Sequence, residues 1–327
     1  MALALITGSN GFIGSHLAEY LLSRGWQVRC MVRKTSNLQW LESLQVEYAY
    51  ADLSDIQALR KAVEGVDYIV HLGGKTKCTT RKAFFEANET GTRNLLQAAQ
   101  EICTSLKRFV YISSQAASGP SEGLRPRKES DEPAPVTWYG ESKLAGEKAV
   151  LEFENRMPVT LIRPPSVYGP RDTDVFEIFK AVKWHIKPVL GFQDRYASFL
   201  YVSDLTRGIY TAAVSDKAVG EIFFLASDSV LTWQQVNHTI ASAMRVRAVN
   251  VHLPVFVFGI IALLRELHMR ITGKPSILNW QKMNEFTQRY WICDAGKAER
   301  MLGFRPEYPI KKGVVKTLQW YRDHNWL

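Results

Sequence analysis

The sequence predicts an α/β protein with a doubly wound parallel sheet and a smaller C-terminal lobe. Through the first half of the 327-residue chain, short apolar segments alternate with helical segments, the pattern of strands joined by crossover helices. The first apolar segment is continuous, as expected for a strand buried on both faces. A glycine-rich turn joins it to the first helix, which is typical of such sheets.

Composition narrows the choice of partners and of compartment. The net charge of +9 would suit nucleic acid, an anionic membrane surface or an anionic ligand. No block of five like charges occurs, so nucleic acid is not an expected partner. The four cysteines have no C-x-x-C pair or zinc spacing, which predicts no metal site and a reducing, cytoplasmic compartment. The apolar stretches 2–6 and 255–264 are too short for a signal peptide or a membrane span.

The first strand, Ala2 to Ile6, runs into a turn that contains Gly8, Gly11 and Gly14. Glycines allow the turn to close tightly and let backbone N–H groups approach a pyrophosphate at the start of the helix. The helix then shows apolar residues at helical spacing until Gly25. This order of strand, turn and helix predicts a Rossmann-type dinucleotide site.

The second strand, Trp26 to Val32, bears on the choice of dinucleotide. Sites for NAD carry an acid at the end of this strand, which holds the ribose 2′-hydroxyl. Here Val32 stands at that position, and Arg33 and Lys34 follow. Two cations suit a 2′-phosphate, so NADP(H) is the preferred cofactor, with NAD(H) possible. The alternative is that the two cations form a solvated basic loop.

The pattern continues regularly as far as a sixth strand. Its elements are a strand Val46 to Ala51, a helix Ile56 to Glu64, a strand Val66 to Leu72, a helix Phe84 to Glu101, a strand Phe109 to Ile112, a loop Gly119 to Pro135, a helix that carries Tyr139 and Lys143, and a strand Val159 to Ile162. Ligands of parallel sheets bind at the carboxyl ends of the strands. Those ends carry Gly8, Arg33, Asp52, His71, Ser114 and Pro164.

The second half is less regular. We expect a helix Val175 to Lys187, a helix cap at Ser203-Asp204, a strand Glu221 to Leu225, a helix Trp233 to Met244 capped by Thr232, an apolar helix Pro254 to His268, and a last helix that includes Val314 to Trp320. No low-complexity linker separates the halves. We therefore predict a cofactor domain over residues 1–170 and mainly a substrate lobe over 171–327, with some elements returning to the first domain.

Tyr139 and Lys143 predict the chemistry. Four residues apart, they share one face of a helix. A free tyrosine has a pKa near 10, and a neighbouring ammonium would lower that pKa by stabilising the phenolate. Such a tyrosine can exchange a proton with a substrate oxygen near neutral pH.

Several motifs together resemble the extended short-chain dehydrogenase/reductase family over nearly the whole chain. They are Thr7-Gly-x-x-Gly11-x-x-Gly14, Asp52-Leu53, Asn88-x-x-Gly-Thr-x-Asn94, Arg163-Pro-x-x-Val-Tyr-Gly-Pro170, Phe199-x-Tyr-Val-x-Asp204 and Leu302-Gly-Phe-x-Pro306. The resemblance implies a catalytic Ser114 beside Tyr139 and Lys143, with Ser113 as the alternative register. The cofactor-binding residues that we expect are Gly8, Asn10, Gly11, Phe12, Ile13, Gly14, Arg33, Lys34, Asp52, Leu53, Leu72, Gly73, Gly74, Asn88, Tyr139, Lys143, Pro164 and Ser166. The expected substrate contacts are Lys75, Gln115 and Arg195.

Within that family, the chain is most similar to the branch of 3β-hydroxysteroid dehydrogenases and dihydroflavonol reductases. The branch that acts on nucleotide sugars usually has Asn where Ser166 stands and Arg where Ala197 stands, although Arg195 could substitute. We therefore expect an NAD(P)-dependent oxidoreductase that acts on a carbonyl or secondary alcohol of a small, hydrophobic substrate. The alternatives are a nucleotide-sugar epimerase/dehydratase with tightly bound NAD, and a cofactor-sensing protein without catalysis.

Two expectations concern partners. The resemblance implies a homodimer that pairs through the helix of Tyr139. The longest apolar run, Val255 to Leu264, precedes Arg265, His268 and Arg270. An apolar helix beside cations suits an anionic membrane surface, so a peripheral contact through 254–270 is one hypothesis. The alternative is that this helix forms part of the core of the lobe.

Overall fold

The structure, a computed structural model, describes residues 1–257, 259–260, 263 and 280–327. The strands are β1 Leu3–Thr7, β2 Gln27–Val32, β3 Glu47–Tyr50, β4 Tyr68–His71, β5 Arg108–Ile112, β6 Val159–Arg163, β7 Ser166–Tyr168, β8 Ile186–Leu190, β9 Tyr196–Tyr201, β10 Ile222–Phe224, β11 Val230–Thr232, β12 Val249–Leu253 and β13 Tyr290–Trp291. The helices are α1 Phe12–Ser23, α2 Ile56–Ala62, α3 Arg81–Phe85, α4 Gly91–Ile102, α5 Gln115–Ser118, α6 Trp138–Leu151, α7 Phe176–Lys183, α8 Val202–Val214, α9 Trp233–Met244, α10 Trp280–Thr287, α11 Gly296–Leu302 and α12 Ile310–Asp323.

Seven strands form one parallel sheet in the order β10-β6-β5-β4-β1-β2-β3. The chain winds outward from β1 through β2 to β3, and then in the other direction from β4. At such a reversal the connections leave on opposite sides and open a crevice at the carboxyl ends of the strands. The predicted α/β fold with a doubly wound, Rossmann-type sheet is confirmed.

Helices cover both faces of this sheet. In β1, Ala4 and Ile6 pack into one apolar cluster with Leu17 of α1, whereas Leu5 packs into a second cluster with Leu95 of α4. All five side chains are fully buried. Because successive residues of a strand point to opposite faces, burial on both sides requires the continuous apolar run seen in the sequence.

Two elements of the second half return to the sheet. Strand β10 extends its edge beside β6, and α8 packs against α1. The other strands form small sheets: β9 pairs with β7, β11 and β13, and β8 pairs with β12. Their shared core is centred on Phe179, Phe199 and Tyr321. The boundary between 170 and 171 stays a prediction.

Helix α9 was anticipated by its cap, whereas α7 is shorter than expected. The Thr232 hydroxyl accepts a hydrogen bond from the Gln235 backbone N–H at 3.1 Å, and the Gln235 side chain accepts one from the Thr232 N–H at 2.8 Å. This reciprocal capping box satisfies two amides at the helix start. The helix expected over 175–187 ends at Lys183 because His185 has a left-handed φ of 62°, which a helix cannot continue.

The predicted cap at Ser203-Asp204 is wrong. Helix α8 already begins at Val202, so Asp204 lies in its first turn. The buried Asp204 carboxylate accepts hydrogen bonds from the backbone N–H groups of Glu307 and Tyr308, at 2.9 and 3.0 Å. Asp204 therefore joins α8 to the segment before α12. The partners lie more than a hundred residues apart in the chain, so no local sequence pattern reveals the contact.

The apolar helix expected over Pro254 to His268 lies only partly within the described residues. Residues 255–257, 259–260 and 263 are helical, whereas Phe258 lies outside the description. Phe256 is 71% exposed, so this part of the segment is not a fully buried core helix. Among the helices of the described chain, none has the length and apolar character that crossing a bilayer requires.

Candidate active site

The junction of β1 and α1 forms a cradle that only glycine allows. Gly8 has a φ of 68°, and a Cβ atom on Gly14 would lie 2.2 Å from the Gly8 carbonyl oxygen. Gly11 is the N-cap of α1, and no described side chain caps the first N–H groups of that helix. Free N–H groups at the positive end of a helix dipole bind anions. The cradle therefore fits the pyrophosphate of a dinucleotide.

A buried relay joins β1 to β4 beside this cradle. Gly73 N–H donates to the Thr7 hydroxyl at 2.8 Å, so this hydroxyl directs its own hydrogen to His71 Nδ1 at 2.6 Å. His71 Nε2–H then donates to Thr92 Oγ1 at 3.0 Å, and Thr92 donates to the Asn88 carbonyl at 2.7 Å. Burial lowers the pKa of His71 to about 3, so the ring is neutral and acts as a fixed connector between the strands.

Asn88 ties the loop after β4 to helix α6. Its side-chain oxygen accepts from Lys75 N–H at 2.8 Å, and its amide nitrogen donates to Lys75 O and to Ser142 Oγ at 3.0 and 2.9 Å. A Cβ atom on Gly74 would lie 2.5 Å from that side-chain oxygen. Both amide hydrogens are thus used within the protein. Asn88, which we expected to contact the cofactor, therefore shapes the loop around it.

Helix α6 brings Tyr139 to Ser114. The Ser114 hydroxyl follows β5, accepts a hydrogen bond from Ala116 N–H at 3.1 Å, and lies beside the Tyr139 phenol, where it acts to lower the pKa of Tyr139. Burial raises the pKa of Tyr139 to about 12, although Ser114 opposes this rise. Ser113 is buried, and its hydroxyl has no partner among the described residues. The structure thus brings Ser114, not Ser113, to the tyrosine.

Lys143 lies one turn further along α6. Its Nζ atom donates to the Ile112 carbonyl at 2.6 Å and lies 4.2 Å from the centre of the Tyr111 ring. Burial lowers the pKa of Lys143 to about 7. The expected lowering of the Tyr139 pKa by Lys143 is not found: burial raises that pKa, and the group that opposes the rise is Ser114. A phenol with a high pKa stays protonated and can donate its proton.

A buried ion pair supports this part of α6. Arg163, at the end of β6, donates to the Glu147 carboxylate through Nε and Nη2 at 2.9 and 2.6 Å, and both side chains are 2% exposed. Two parallel bonds of this kind fix a carboxylate geometrically. Glu147 follows Lys143 by one turn, and its charge raises the Lys143 pKa against the effect of burial.

Comparison with known proteins identifies the family. The family model described as the NAD-dependent epimerase/dehydratase family matches residues 4–226, which include the cradle, Ser114, Tyr139 and Lys143. The chain belongs to the NAD-dependent epimerase/dehydratase family.

Three similar proteins match this chain over nearly its whole length. The ceramide reductase of Caulobacter vibrioides is 28% identical over 326 residues, covering 98% of this chain and 95% of the relative. The decarboxylating sterol-4-alpha-carboxylate 3-dehydrogenase of Mus musculus is 25% identical, covering 96% and 89%. The dTDP-glucose 4,6-dehydratase of Bacillus anthracis, solved with NAD, is 18% identical with a TM-score of 0.81, covering 100% and 98%. This last likeness concerns the fold.

The expected nucleotide-binding residues of this family member lie along one edge. Phe12, Ile13 and Asn10 surround the start of α1, and Leu72, Gly73 and Pro164 follow β4 and β6. The Leu53 carbonyl accepts a hydrogen bond from the side-chain nitrogen of Asn94 at 2.8 Å, which ties the segment after β3 to helix α4. Ser166 is exposed at the start of β7. These positions are where the predictions placed them; contact with a cofactor stays a prediction.

The charge of Lys75 is felt at Asp52. The expected contact of Lys75 with the substrate stays a prediction. The pKa of Asp52 is lowered mainly by hydrogen bonds from Ser54, and then by the charges of Arg33 and Lys75. Arg33 and Lys34 are exposed just after β2. The structure therefore adds a third cation to the pair expected for a 2′-phosphate.

The expectation that Arg195 could bind a substrate diphosphate does not hold. Its Nε donates to the Phe286 carbonyl at 3.0 Å, and its Nη1 donates to the carbonyls of Leu190 and Gln193 at 2.5 and 3.2 Å. These bonds use the guanidinium to join β9 to α10. Gln115, in contrast, is buried, and its side-chain nitrogen has no partner among the described residues, so it remains a candidate substrate contact.

Glu285 of α10 is a feature of the site that the sequence analysis missed. Its negative charge contributes to the raised pKa of Tyr139, which places the carboxylate near the phenol. Glu285 belongs to no motif and lies far from Tyr139 in the chain. The sequence carries no signal for the role of Glu285, because helix α10 reaches the site only through the packing of the C-terminal lobe.

Replacement of Lys143 by methionine should change how stability depends on pH. The folded pKa of about 7 lies below the unfolded value of 10.5. Between these values the unfolded chain binds the proton more tightly, so stability of the unmutated protein should rise with pH. Relative to Lys143→Met, the rise should reach at most about 1.4 kcal/mol per pH unit from about pH 7 to about pH 9.

Chemical denaturation at several pH values measures this difference. Comparing the two proteins at each pH removes the contribution of other titrating groups. The structure indicates that Lys143 is desolvated. If the stability of both proteins depended on pH in the same way, Lys143 would not be desolvated and this description would be wrong.

Proposed function

We propose that the protein is an oxidoreductase that transfers hydride reversibly between NADP(H) and a carbonyl or secondary alcohol. The placement of Ser114 beside Tyr139, with Lys143 one turn away and the glycine cradle on the same sheet edge, is the observation that carries the proposal. A proton donor and a hydroxyl donor beside a dinucleotide site are what carbonyl reduction requires.

The protein's own groups would handle the proton and the substrate oxygen. The nicotinamide cofactor supplies or accepts the hydride when it is bound. Ser114 already accepts from Ala116 N–H, so its hydrogen is free to point to the substrate oxygen or to Tyr139. Tyr139 then donates its phenolic proton to that oxygen as negative charge develops there. Ser114, which opposes the rise of the Tyr139 pKa, would stabilise the phenolate that remains.

The proposed preference for NADP(H) has support from charge. Residue 32, at the end of β2, is a valine and not an acid, whereas Arg33 and Lys75 both act on Asp52. A carboxylate at that strand end would repel a 2′-phosphate, and cations attract one.

The cofactor preference predicts the effect of Arg33→Ala. Loss of a charge-assisted bond of about 1.5–3 kcal/mol should weaken NADPH binding by about tenfold to a hundredfold. NADH binding should change little, and Lys61→Ala, an exposed cation on α2, should affect neither. Calorimetric titration with both cofactors measures the ratio. Equal affinity of the unmutated protein for NADPH and NADH would contradict the preference.

We propose a hydrophobic substrate. The position where sugar enzymes carry a diphosphate-binding arginine is the buried Ala197 of β9, and Arg195 is engaged by backbone carbonyls. The names of two relatives, a ceramide reductase and a sterol dehydrogenase, refer to lipid substrates. The alternative of a nucleotide-sugar epimerase/dehydratase draws on the structural likeness to a sugar dehydratase.

Turnover assays distinguish these functions. The purified protein would be incubated with NADPH and with ketones that bear a sterol or a long acyl chain, and separately with nucleotide-diphosphate sugars. We expect consumption of NADPH with the lipid ketones. Conversion of a nucleotide sugar by protein that carries bound NAD would favour the epimerase, and cofactor binding without turnover of any substrate would favour a sensor.

We also propose a cytoplasmic homodimer. All four cysteines are free, which suits a reducing compartment. Helices α4 and α6 pack side by side and would form the four-helix contact that the family resemblance implies. Sedimentation velocity measures the oligomeric state.

A further inference from the structure

Exposed apolar side chains concentrate in one part of the C-terminal lobe. About half of the large apolar residues that are exposed in the described chain lie between residues 184 and 263 on three adjoining segments. We call this set the docking patch; its members are Trp184, Ile186, Phe192, Val249, Val251, Phe256, Ile260 and Leu263. Trp184, Phe192 and Phe256 are 76%, 75% and 71% exposed. Contiguous exposed patches of this kind mark interaction sites on soluble proteins.

The small sheet of β8 and β12 forms the centre of the docking patch. In the parallel register, Ile186 pairs with Val249, and Pro188 pairs with Val251. All four side chains are exposed, and side chains two residues apart share a face. Val189, which follows Pro188 in β8, points to the other face and is buried. One face of this sheet therefore packs on the lobe, while the other presents apolar side chains to solvent.

The two large aromatic residues adjoin this sheet at opposite ends. Trp184 precedes His185, whose backbone carbonyl accepts from Val249 N–H at 3.0 Å. Phe192 stacks on His252 of β12, with ring centres 5.3 Å apart and planes 8° apart. The preceding Gly191 accepts from the His252 ring at 2.8 Å. The Phe192 ring is thus held against the sheet by its stacking on His252, and Trp184 is anchored next to the sheet through the backbone bond of His185.

The third segment continues directly from β12. Phe256, Ile260 and Leu263 follow at spacings of four and three residues, which place them on one face of a helix. All three are exposed. Gly259 of the same segment lies against Met283 of α10, with the sulfur 3.3 Å from a Cβ built on the glycine. Helix α10 also carries Glu285, near Tyr139, so the docking patch adjoins the lobe that covers the proposed site.

The charges beside the docking patch are mostly positive; the exposed Asp194, two residues after Phe192, is an acid next to it in the chain. The segments 183–193 and 245–257 contain Lys183, Lys187, Arg245 and Arg247 and no aspartate or glutamate. Lys183, Arg245 and Arg247 are exposed. An apolar face with a cationic rim is complementary to an anionic lipid surface, where the charges stay at the head groups while aromatic rings enter the interface.

We propose that the docking patch binds the surface of an anionic lipid bilayer. The opposite sign of the rim and of the lipid head groups selects this occupant over a second copy of the chain, since two cationic rims would repel each other. The proposal does not depend on the proposed oxidoreductase activity. If that activity also holds, contact with the bilayer would bring the lobe next to a source of lipid substrate.

Vesicle co-sedimentation tests the proposal. The full-length protein would be mixed with vesicles of pure phosphatidylglycerol and of pure phosphatidylcholine, at low and at moderate salt. One variant, Trp184→Ser/Phe256→Ser, removes exposed aromatic rings, and a second, Arg245→Glu/Arg247→Glu, reverses rim charges. Val315→Ser, exposed on α12, is the apolar control. Lys61→Glu/Lys311→Glu, at two exposed cations elsewhere, makes the same change in net charge.

We expect salt-sensitive binding to phosphatidylglycerol that each patch variant weakens by about tenfold or more, since each interfacial charge contributes about 1 kcal/mol. The controls should bind like the unmutated protein. Absence of binding, or equal loss in patch variants and controls, would overturn the proposal. A smaller oligomer in the Trp184→Ser/Phe256→Ser variant alone, seen by size-exclusion chromatography, would assign the patch to a second copy and would also overturn it. Turnover measured on a soluble short-chain ketone tests the proposed function separately.

Discussion

Replacing Tyr139 with phenylalanine should lower kcat for carbonyl reduction by about a hundredfold to ten-thousandfold, the usual contribution of a positioned general acid. The change removes one oxygen, which lies beside Ser114, and leaves the ring that packs against Phe84 at a centre distance of 6.2 Å. Cofactor affinity and the unfolding transition should therefore remain close to those of the unmutated protein. The loss should fall on kcat, because the proton is transferred only in the transition state.

The pH dependence of this reaction follows from the raised pKa of Tyr139. With a pKa of about 12, the phenol is protonated throughout the neutral range, so reduction should not lose its proton donor there. Oxidation of the alcohol needs the phenolate and should accelerate as pH rises. Tyr210→Phe, a tyrosine in α8 away from the site, is the matched control. A Tyr139→Phe protein that retains most of its kcat would exclude Tyr139 as the acid.

Glu147→Ala should lower the free energy of unfolding by about 3–5 kcal/mol, because it leaves the buried Arg163 guanidinium without a counter-charge. Arg163 Nη1 already lacks a hydrogen-bond partner among the described residues. The same change should also displace Lys143, which precedes Glu147 by one helical turn. Denaturant unfolding measures the free energy.

An exposed pair provides the control for this prediction. Glu152 pairs with Arg93 on the surface of the same helix region, and its side chain is 57% exposed. Glu152→Ala should cost less than about 1 kcal/mol. Replacing both buried partners, as Glu147→Leu/Arg163→Met, should recover most of the lost stability, since an apolar pair avoids desolvated charge. If Glu147→Ala costs no more than Glu152→Ala, the buried pair does not support α6 as described.

The parts of the fold that the sequence predicted are those with a local physical cause. Gly8 and Gly14 were predictable because a side chain at either would strain or block the turn. Thr232 was predictable because capping is decided within four residues. The continuous apolar segment at Ala4 to Ile6 indicated a strand covered on both faces. In each case the decisive interactions lie within a few residues along the chain.

The parts that the sequence did not predict depend on long-range packing. Asp204 binds backbone amides near residue 307, and Arg195 binds the carbonyl of Phe286, so neither role has a local pattern. The loop that carries Lys75 is held by Asn88, thirteen residues later in the chain, a contact without a local pattern. The Tyr139 pKa was misjudged because spacing to Lys143 says nothing about how deeply the phenol is buried.

The most direct test of the central proposal is transfer of deuterium from NADPH in which both hydrogens at C4 of the nicotinamide are replaced by deuterium. The unmutated protein would be incubated with a lipid ketone, and the product analysed by mass spectrometry and NMR. We expect one deuterium on the new carbinol carbon, and none with Tyr139→Phe over the same time. A product without deuterium would contradict hydride transfer to a carbonyl, and so would label retained in NADPH while a nucleotide sugar is converted.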